Sequence, residues 1–333
     1  MSPWWRERRG VHGGAAVRAE RRKGRADRAA QRPGRLQGHL HARDSSVRDA
    51  DGFFPGWKAT RVLADDTRAV GVEIENRNHA KVQVCSRLLV AADGRDSTVA
   101  RLARAPGRVR PHDRFFYFAY WRGVKPEHTC FRVWFLEPHG GAEFPSEDGI
   151  TLLGAAFHRS SLAEARADPQ RAYMRQLERL PDGPDLSEAE QISKLLGKLE
   201  MPNVIRPAAQ PGIAFVGDAG LATDPVFGVG IGFAFQSAEW LVDETSPALA
   251  GDGDELDDAL RRYTRKFLWR LGPHHLMMAD FSSRLGFRSH ERFALRKAAR
   301  DPIVGRAFGE VMTRERSPIR MVTPGVVARI LAA

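Results

Sequence analysis

Residues 214–240, AFVGDAGLATDPVFGVGIGFAFQSAEW, decide how the rest of the chain is read. An apolar β-like segment, Ile213 to Val216, runs straight into Gly217-Asp218. A loop carrying Pro225 follows, then Gly228, Gly230 and Gly232, and from there an uninterrupted helical pattern. A carboxylate at a strand's end can accept hydrogen bonds from ligand hydroxyls, as the acidic residue of dinucleotide-binding folds holds a ribose. Glycines let backbone approach a ligand without Cβ clashes. The helix start adds free N–H groups and the positive end of its dipole, which favour an anion or a ring that becomes anionic. The competing reading is a tightly packed glycine joint between strand and helix.

A second stretch, LLVAADGRDSTVAR at 88–101, has the same logic. Its continuous apolar run, Leu88 to Ala92, reads as a strand buried on both faces of a parallel sheet. The run ends in Asp93-Gly94, at the edge where open α/β sheets bind ligands. Ser97 is placed to cap the helix that follows, and Arg95 and Arg101 offer charge-assisted contacts to phosphate. A plain strand–turn–helix joint with surface arginines explains the same spacing.

With 333 residues, 42% apolar and 9% aromatic, the chain holds one large or two modest domains with a real core. Its net charge of +11 points at first to nucleic acid or an anionic surface. Residues 1–48, however, hold 13 Lys/Arg against 4 Asp/Glu, so the remainder is close to neutral. That leader has no aromatic residue between Trp5 and Phe53 and cannot bury enough apolar surface to offset chain entropy. It reads as disordered or non-native, from misread or truncated coding sequence; a basic arm or an Arg-rich targeting peptide are the other readings. Nucleic-acid binding is not expected. Cys85 and Cys130 fit no metal or disulfide spacing, and a reducing cytoplasm suits them. The apolar run from Pro225 to Ala238 is 14 residues, too short to span a bilayer.

From about Pro55 the chain alternates in the β manner. FFYFAYWRG, CFRVWFLEP and GITLLGAAFH, between residues 115 and 158, predict an antiparallel sheet, followed by a helix over 161–180. A long helical pattern after 251 is expected to break near Gly272-Pro273, with further helices to the end. The adjacent pair His274-His275 cannot aim both rings at one metal, and helix capping or surface placement is expected.

LLVAADGRDSTVARLA and IAFVGDAGLATDPVFGVGIGFAFQSAEWL resemble the DG and GD motifs of FAD-dependent monooxygenases of the aromatic-hydroxylase class. They are also similar to those of flavin halogenases and geranylgeranyl-reductase-like oxidoreductases. The resemblance covers roughly residues 55–330. It implies an α/β fold with α+β character: a Rossmann-like FAD/NAD(P)-binding domain over 53–110 and 205–250, here N-terminally incomplete after the leader at 1–52. An antiparallel β-sheet substrate domain is inserted at 111–204, and a helical region fills 251–333. By the same resemblance, Asp218 binds ribityl or ribose hydroxyls of FAD, Gly217 lets the chain pass close, and Pro225 lies beside the isoalloxazine ring. The backbone of Gly228, Val229, Gly230, Ile231, Gly232 and Phe233 faces the flavin's pyrimidine end. Asp93 and Gly94 sit near the pyrophosphate and, in the hydroxylase class, help with NAD(P)H, and Arg95 joins them as a cofactor-binding residue. The implied reaction is NAD(P)H-dependent hydroxylation of an aromatic or polyketide-like small molecule through a flavin C4a-hydroperoxide. A halogenase, a reductase or an inactive truncated flavoprotein are the alternatives.

Several family features are missing. No strand–GxGxxG–helix unit precedes the DG motif, so a sheet edge is expected to stand open. Gly220 and Leu221 replace the Ala-His frequent in hydroxylases. The halogenase Trp-x-Trp-x-Ile-Pro signature is absent, since Trp121 and Trp134 stand alone. No catalytic side chain is identified. Phe116, Phe118, Tyr120, Phe131, Val133 and Phe135 point to an apolar pocket or to ordinary core.

Overall fold

The computed structural model describes residues 53–125, 131–225, 228–312, 314–319 and 323–332, so the expectations for residues 1–52 and for Cys130 fall outside it. The two motif strands are neighbours: Ile213–Phe215 and Leu89–Ala91 pair in parallel, with Ala214 opposite Val90. Parallel pairing brings the carboxyl ends of both strands, and therefore Asp93 and Asp218, to one rim. Ala209–Gln210 folds back antiparallel on Ile213–Phe215 through Gly212, whose φ is +71° and where any Cβ would overlap the Ala69 carbonyl. Only glycine fits that corner. The central strand is fully buried between Val99 and Ala100 of the Thr98–Leu102 helix on one side and a helical layer containing Phe233, Leu241, Tyr263 and Phe267 on the other.

The run Leu88–Ala92 is not buried on both faces: Val90 is 44% exposed and Ala92 is exposed, because no further strand pairs with this edge among the described residues. The preceding Lys81–Cys85 belongs to a separate antiparallel meander with Lys58–Ala64 and Ala69–Glu75.

Among the described residues the antiparallel sheet has six strands: Arg114–Arg122, Arg132–Phe135, Gly140–Pro145 and Ile150–His158, with Glu190–Gln191 and Leu196–Lys198 both against Arg114–Arg122. Gly140–Pro145 is a strand that the sequence reading missed. A Cβ on its Gly141 would stand 2.7 Å from Leu180, so the glycine buys closeness to the helical layer rather than a turn. One face carries Phe115, Tyr117, Trp121, Leu153 and Phe157 into a core with the helices Leu162–Ala167 and Pro169–Glu178. The single helix expected over 161–180 is these two, because Pro169 has no N–H to continue a helix and starts one instead, capped by Asp168 on the Arg171 N–H. The alternate residues, Phe116, Phe118, Tyr120, Val133 and Phe135, leave by the opposite face.

Where the chain enters and leaves this sheet, it is tied down. Asn203–Ile205 pairs with both Arg108–Arg110 and Leu221–Ala222. Beside that small sheet lies Asp224, fully buried. With its Nδ1 accepting the Arg114 N–H (3.4 Å), His112 presents Nε2–H to Asp224 Oδ2 at 2.9 Å, and the Arg114 guanidinium stands 3.9 Å away. Asn203 Oδ1 accepts the Asp224 N–H (3.1 Å), while its amide donates to Pro111 O and to Ser282 Oγ.

Helices Gly230–Thr245 and Gly253–Ser282 run antiparallel, with Phe233 beside His274 and Glu244 beside Arg262. The second helix does not break at Pro273. Its buried stripe of Tyr263, Phe267, Leu271, His274 and Met278 continues across the proline, and packing outweighs the one lost hydrogen bond. His274 and His275 are therefore neither caps nor surface residues, at 3% and 1% exposed. Helices Ser289–Ala298, Pro302–Met312 and Pro324–Leu331 complete the fold.

Burial pushes both imidazoles down to about 4, with the charges of Arg314 on His274 and Arg110 on His275 acting in the same direction. The unfolded chain, titrating near 6.5, takes up these protons first. Their stabilisation is thus complete above pH 6.5 and is lost as pH falls toward 4, at about 1.4 kcal/mol per unit for each ring. In denaturant melts across that window, His275→Leu removes one imidazole's share of the decline, about 1.4 kcal/mol per pH unit, and costs nothing at neutral pH, because neither ring nitrogen has a partner to lose. Asp224→Ala, which leaves His112 and Arg114 uncompensated, lowers stability by about 3 kcal/mol. A thermal midpoint unchanged in that variant would remove the buried ion cluster from this account.

Candidate functional site

At the carboxyl rim, Gly217 (φ +54°) lies against Ala234, and its N–H donates to Ser237 Oγ at 2.9 Å. Strand end and helix are locked together, which turns Asp218 toward the helix start. Its Oδ1 is 3.9 Å from where a Cβ on Gly230 would stand. Among the described residues Asp218 accepts no hydrogen bond. Burial raises its carboxyl above the usual carboxylate range, and the charge of Arg95 pulls the other way.

Arg95 itself donates to Pro202 O (2.8 Å) and Thr223 O (2.6 Å), bracing the glycine loop against the chain returning from the sheet. Asp93 accepts the Ser97 hydroxyl (2.5 Å) and the Val99 N–H (3.0 Å), and Ser97 accepts the Ala100 N–H. These two residues cap the short helix, as the Ser97 reading expects. Gly94 (φ +82°) has no atom within 4 Å of its would-be Cβ, and Arg101 reaches Thr98 Oγ1.

Gly228 (φ +63°) also opens onto space, its N–H held by Pro225 O at 2.9 Å. Val229 and Phe233 turn into the core, whereas Ile231 is 76% exposed. Gly232 is covered by the guanidinium of Arg314, which donates to Val229 O at 3.0 Å and lies over the Phe233 ring. Nothing in the local pattern around Arg314 announces this contact.

Pro225 forms part of the wall of a cavity of about 310 Å³ beneath the open face of the six-stranded sheet. Phe116, Phe118, Phe144, Leu152 and Met201 make it apolar, and Lys198 is the charged side chain at its wall. Ala142, Gly154 and Ala156 leave the space between the aromatic rings. Of the other predicted pocket residues, Phe131 stacks on Phe144, and Phe135 packs against Phe281 and Phe287 instead. Trp121 and Trp134 are structural, donating to Tyr173 Oη and Pro181 O. Among the described residues there is no group of His, Cys, Asp and Glu able to hold a metal, and no helix is long and apolar enough to cross a membrane.

No protein-family model matches the chain. Digeranylgeranylglycerophospholipid reductase from Thermoplasma volcanium is 24% identical over 223 residues, 66% of this chain and 55% of the relative. Digeranylgeranylglycerophospholipid reductase 2 from Methanococcoides burtonii is 25% identical over 229 residues, 64% of this chain and 51% of its own length. The chain thus spans about half the length of the curated relatives it matches. Among solved structures, the flavin-dependent brominase Bmp2 aligns at TM-score 0.56 and 18% identity, covering 82% of this chain and 64% of that one. The flavin-dependent halogenase CmlS aligns at 0.58 and 19%, covering 74% and 48%. A geranylgeranyl bacteriochlorophyll reductase-like protein from Thermoplasma acidophilum aligns at 0.56 and 21%, covering 69% and 58%. The described residues therefore share the α/β fold of flavin-dependent halogenases and geranylgeranyl-reductase-like proteins, with the antiparallel sheet laid over it that the two motifs imply.

Proposed function

We propose that this chain supplies the ring-side half of an FAD-dependent oxidoreductase, a monooxygenase reduced by NAD(P)H and acting on a small apolar or aromatic molecule. The observation that carries the reading is Asp218: a half-buried carboxylate, without a hydrogen-bond partner among the described residues, facing a glycine-built helix start. A carboxylate in that setting is costly unless a ligand completes its hydrogen bonds. The residues fit the ring and ribityl end of FAD. Asp218 would take the hydroxyls, Gly228 and Gly230 would let backbone meet the ring, and Pro225 would stand between the ring and the apolar cavity. They offer less to the diphosphate end, because Arg95 is spent on carbonyls and no glycine-rich turn flanks Leu89–Ala91 among the described residues.

When bound, FAD supplies the electron transfer. The protein's share is orientation and exclusion of water. Phe116, Phe118, Phe144 and Leu152 would hold an apolar substrate under the sheet, with Pro225 at the cavity wall on the side where the flavin would lie. The helix start and Arg314 put positive potential at one corner, which favours negative charge on whatever lies there. The same geometry serves halogenation or reduction, and dioxygen consumption separates oxygenation from reduction. The reductase relatives support a lipid-like substrate in the same cavity.

If only the ring end is seated, riboflavin, FMN and FAD quench on titration with affinities within about threefold of one another. Asp218→Ala weakens all three by about tenfold or more, since hydrogen bonds to a charged acceptor are lost. No flavin binding by the full chain at any practical concentration would end the proposal, and binding insensitive to Asp218→Ala would move the site elsewhere.

A further inference from the structure

Basic charge is concentrated at a second place besides residues 1–48. From Arg284 to Ala333 there are eleven Lys or Arg against four Asp or Glu. The three helices Ser289–Ala298, Pro302–Met312 and Pro324–Leu331 lie in this stretch and pack on one another. Between them a groove is lined by Phe293, Arg296, Lys297, Arg300, Ile303 and Arg329. Arg296 and Arg300 form no ion pair among the described residues. Asp301, the acid in the wall, is shared with Arg329 at 3.5 Å. Lys297 Nζ donates to Ala332 O at 2.5 Å, which brings Leu331 to the same rim. Phe293, Ile303 and Leu331 are 46%, 51% and 69% exposed.

Three large apolar side chains interleaved with four cations around one groove need a partner that rewards both. A nucleic-acid backbone satisfies the cations but gains nothing from Phe, Ile and Leu in water. A protein partner is met by a contiguous apolar centre with charge at the rim, not by apolar side chains interspersed with charge. An anionic lipid surface rewards this pattern: cations meet headgroups while the apolar side chains between them reach the acyl boundary. We propose that this helical face is a peripheral membrane site that seats on anionic lipid headgroups. It is independent of the flavin reading, since none of its residues touches the rim at Asp218.

The test is co-sedimentation of the full chain with phosphatidylcholine vesicles, with and without roughly a third of phosphatidylglycerol. Binding is expected to the anionic vesicles only and to fall as salt rises. Residues 1–48 are also basic, so the result is read from variants. Arg296→Glu with Arg300→Glu loses about tenfold or more, at about 1 kcal/mol for each cation brought near the surface. Phe293→Ser with Ile303→Ser weakens binding at the same salt. Arg166→Glu with Arg171→Glu, a pair of exposed cations on the sheet's helices, leaves it unchanged. If the charge reversal unfolds the chain, Arg296→Gln with Arg300→Gln is read in its place. Equal binding to neutral and anionic vesicles, no binding to either, or equal losses in the two arginine pairs would each overturn the site. Retention of wild-type binding by the folded Arg296/Arg300 variant does so as well.

Discussion

Asp224 has no access to water, so its charge is carried by the groups that close round it, and those groups come from segments far apart in the sequence. His112 and Arg114 lie where the chain enters the six-stranded sheet, and Asn203 lies where it leaves. Ser282 and Phe281 belong to the end of the longest helix, with Phe281 lying flat against the Arg114 guanidinium at 4.1 Å. Asp224 is also the residue before Pro225. The position of the loop that separates the glycine helix from the apolar cavity is therefore set by a buried ionic cluster. Clusters of this kind contribute little net stability, yet cannot lose one member without exposing the others to an uncompensated charge. Geometry at the rim and integrity of the junction between the six-stranded sheet and the longest helix depend on the same carboxylate.

Much of the rim was legible from local pattern. Gly217-Asp218 after an apolar run, and glycines before a helical period, are short-range signals whose physical meaning survives folding. The parallel pairing of the two motif strands gives both motifs one edge. Other features had no local signal. The Asp224 cluster joins residues that stand far apart in sequence, and none of them is unusual where it stands. Along Arg114–Arg122 almost every side chain is large and apolar, so alternation could not say which of Phe115 or Phe116 faces the core. The Gly140–Pro145 strand hid because two glycines imitate a turn, when Gly140 clears the Trp134 carbonyl and Gly141 admits Leu180. Helix breaking at Pro169 but not at Pro273 is decided by what lies beneath: a capping aspartate at the first, a continuous buried stripe at the second.

Glycine has three different duties within this one site. At Gly217 it permits a left-handed backbone packed on Ala234, at Gly228 it leaves a loop open to solvent, and at Gly232 it makes room for Arg314. Only the middle one is free for a ligand as the chain stands. The bare helix tip is thus a packing device at Gly217 and Gly232, while at Gly228 the backbone stays uncovered.

Among the described residues no strand pairs with the outer rim of Leu89–Ala91, and Val90 is 44% exposed, which has a consequence for how the molecule behaves in bulk. Backbone donors and acceptors left in a row are adhesive toward any extended peptide, including the same rim of another copy. Colloidal losses should therefore set in well before thermal melting. A short β-forming peptide added in trans, able to lie alongside Val90, is the natural means of suppressing them.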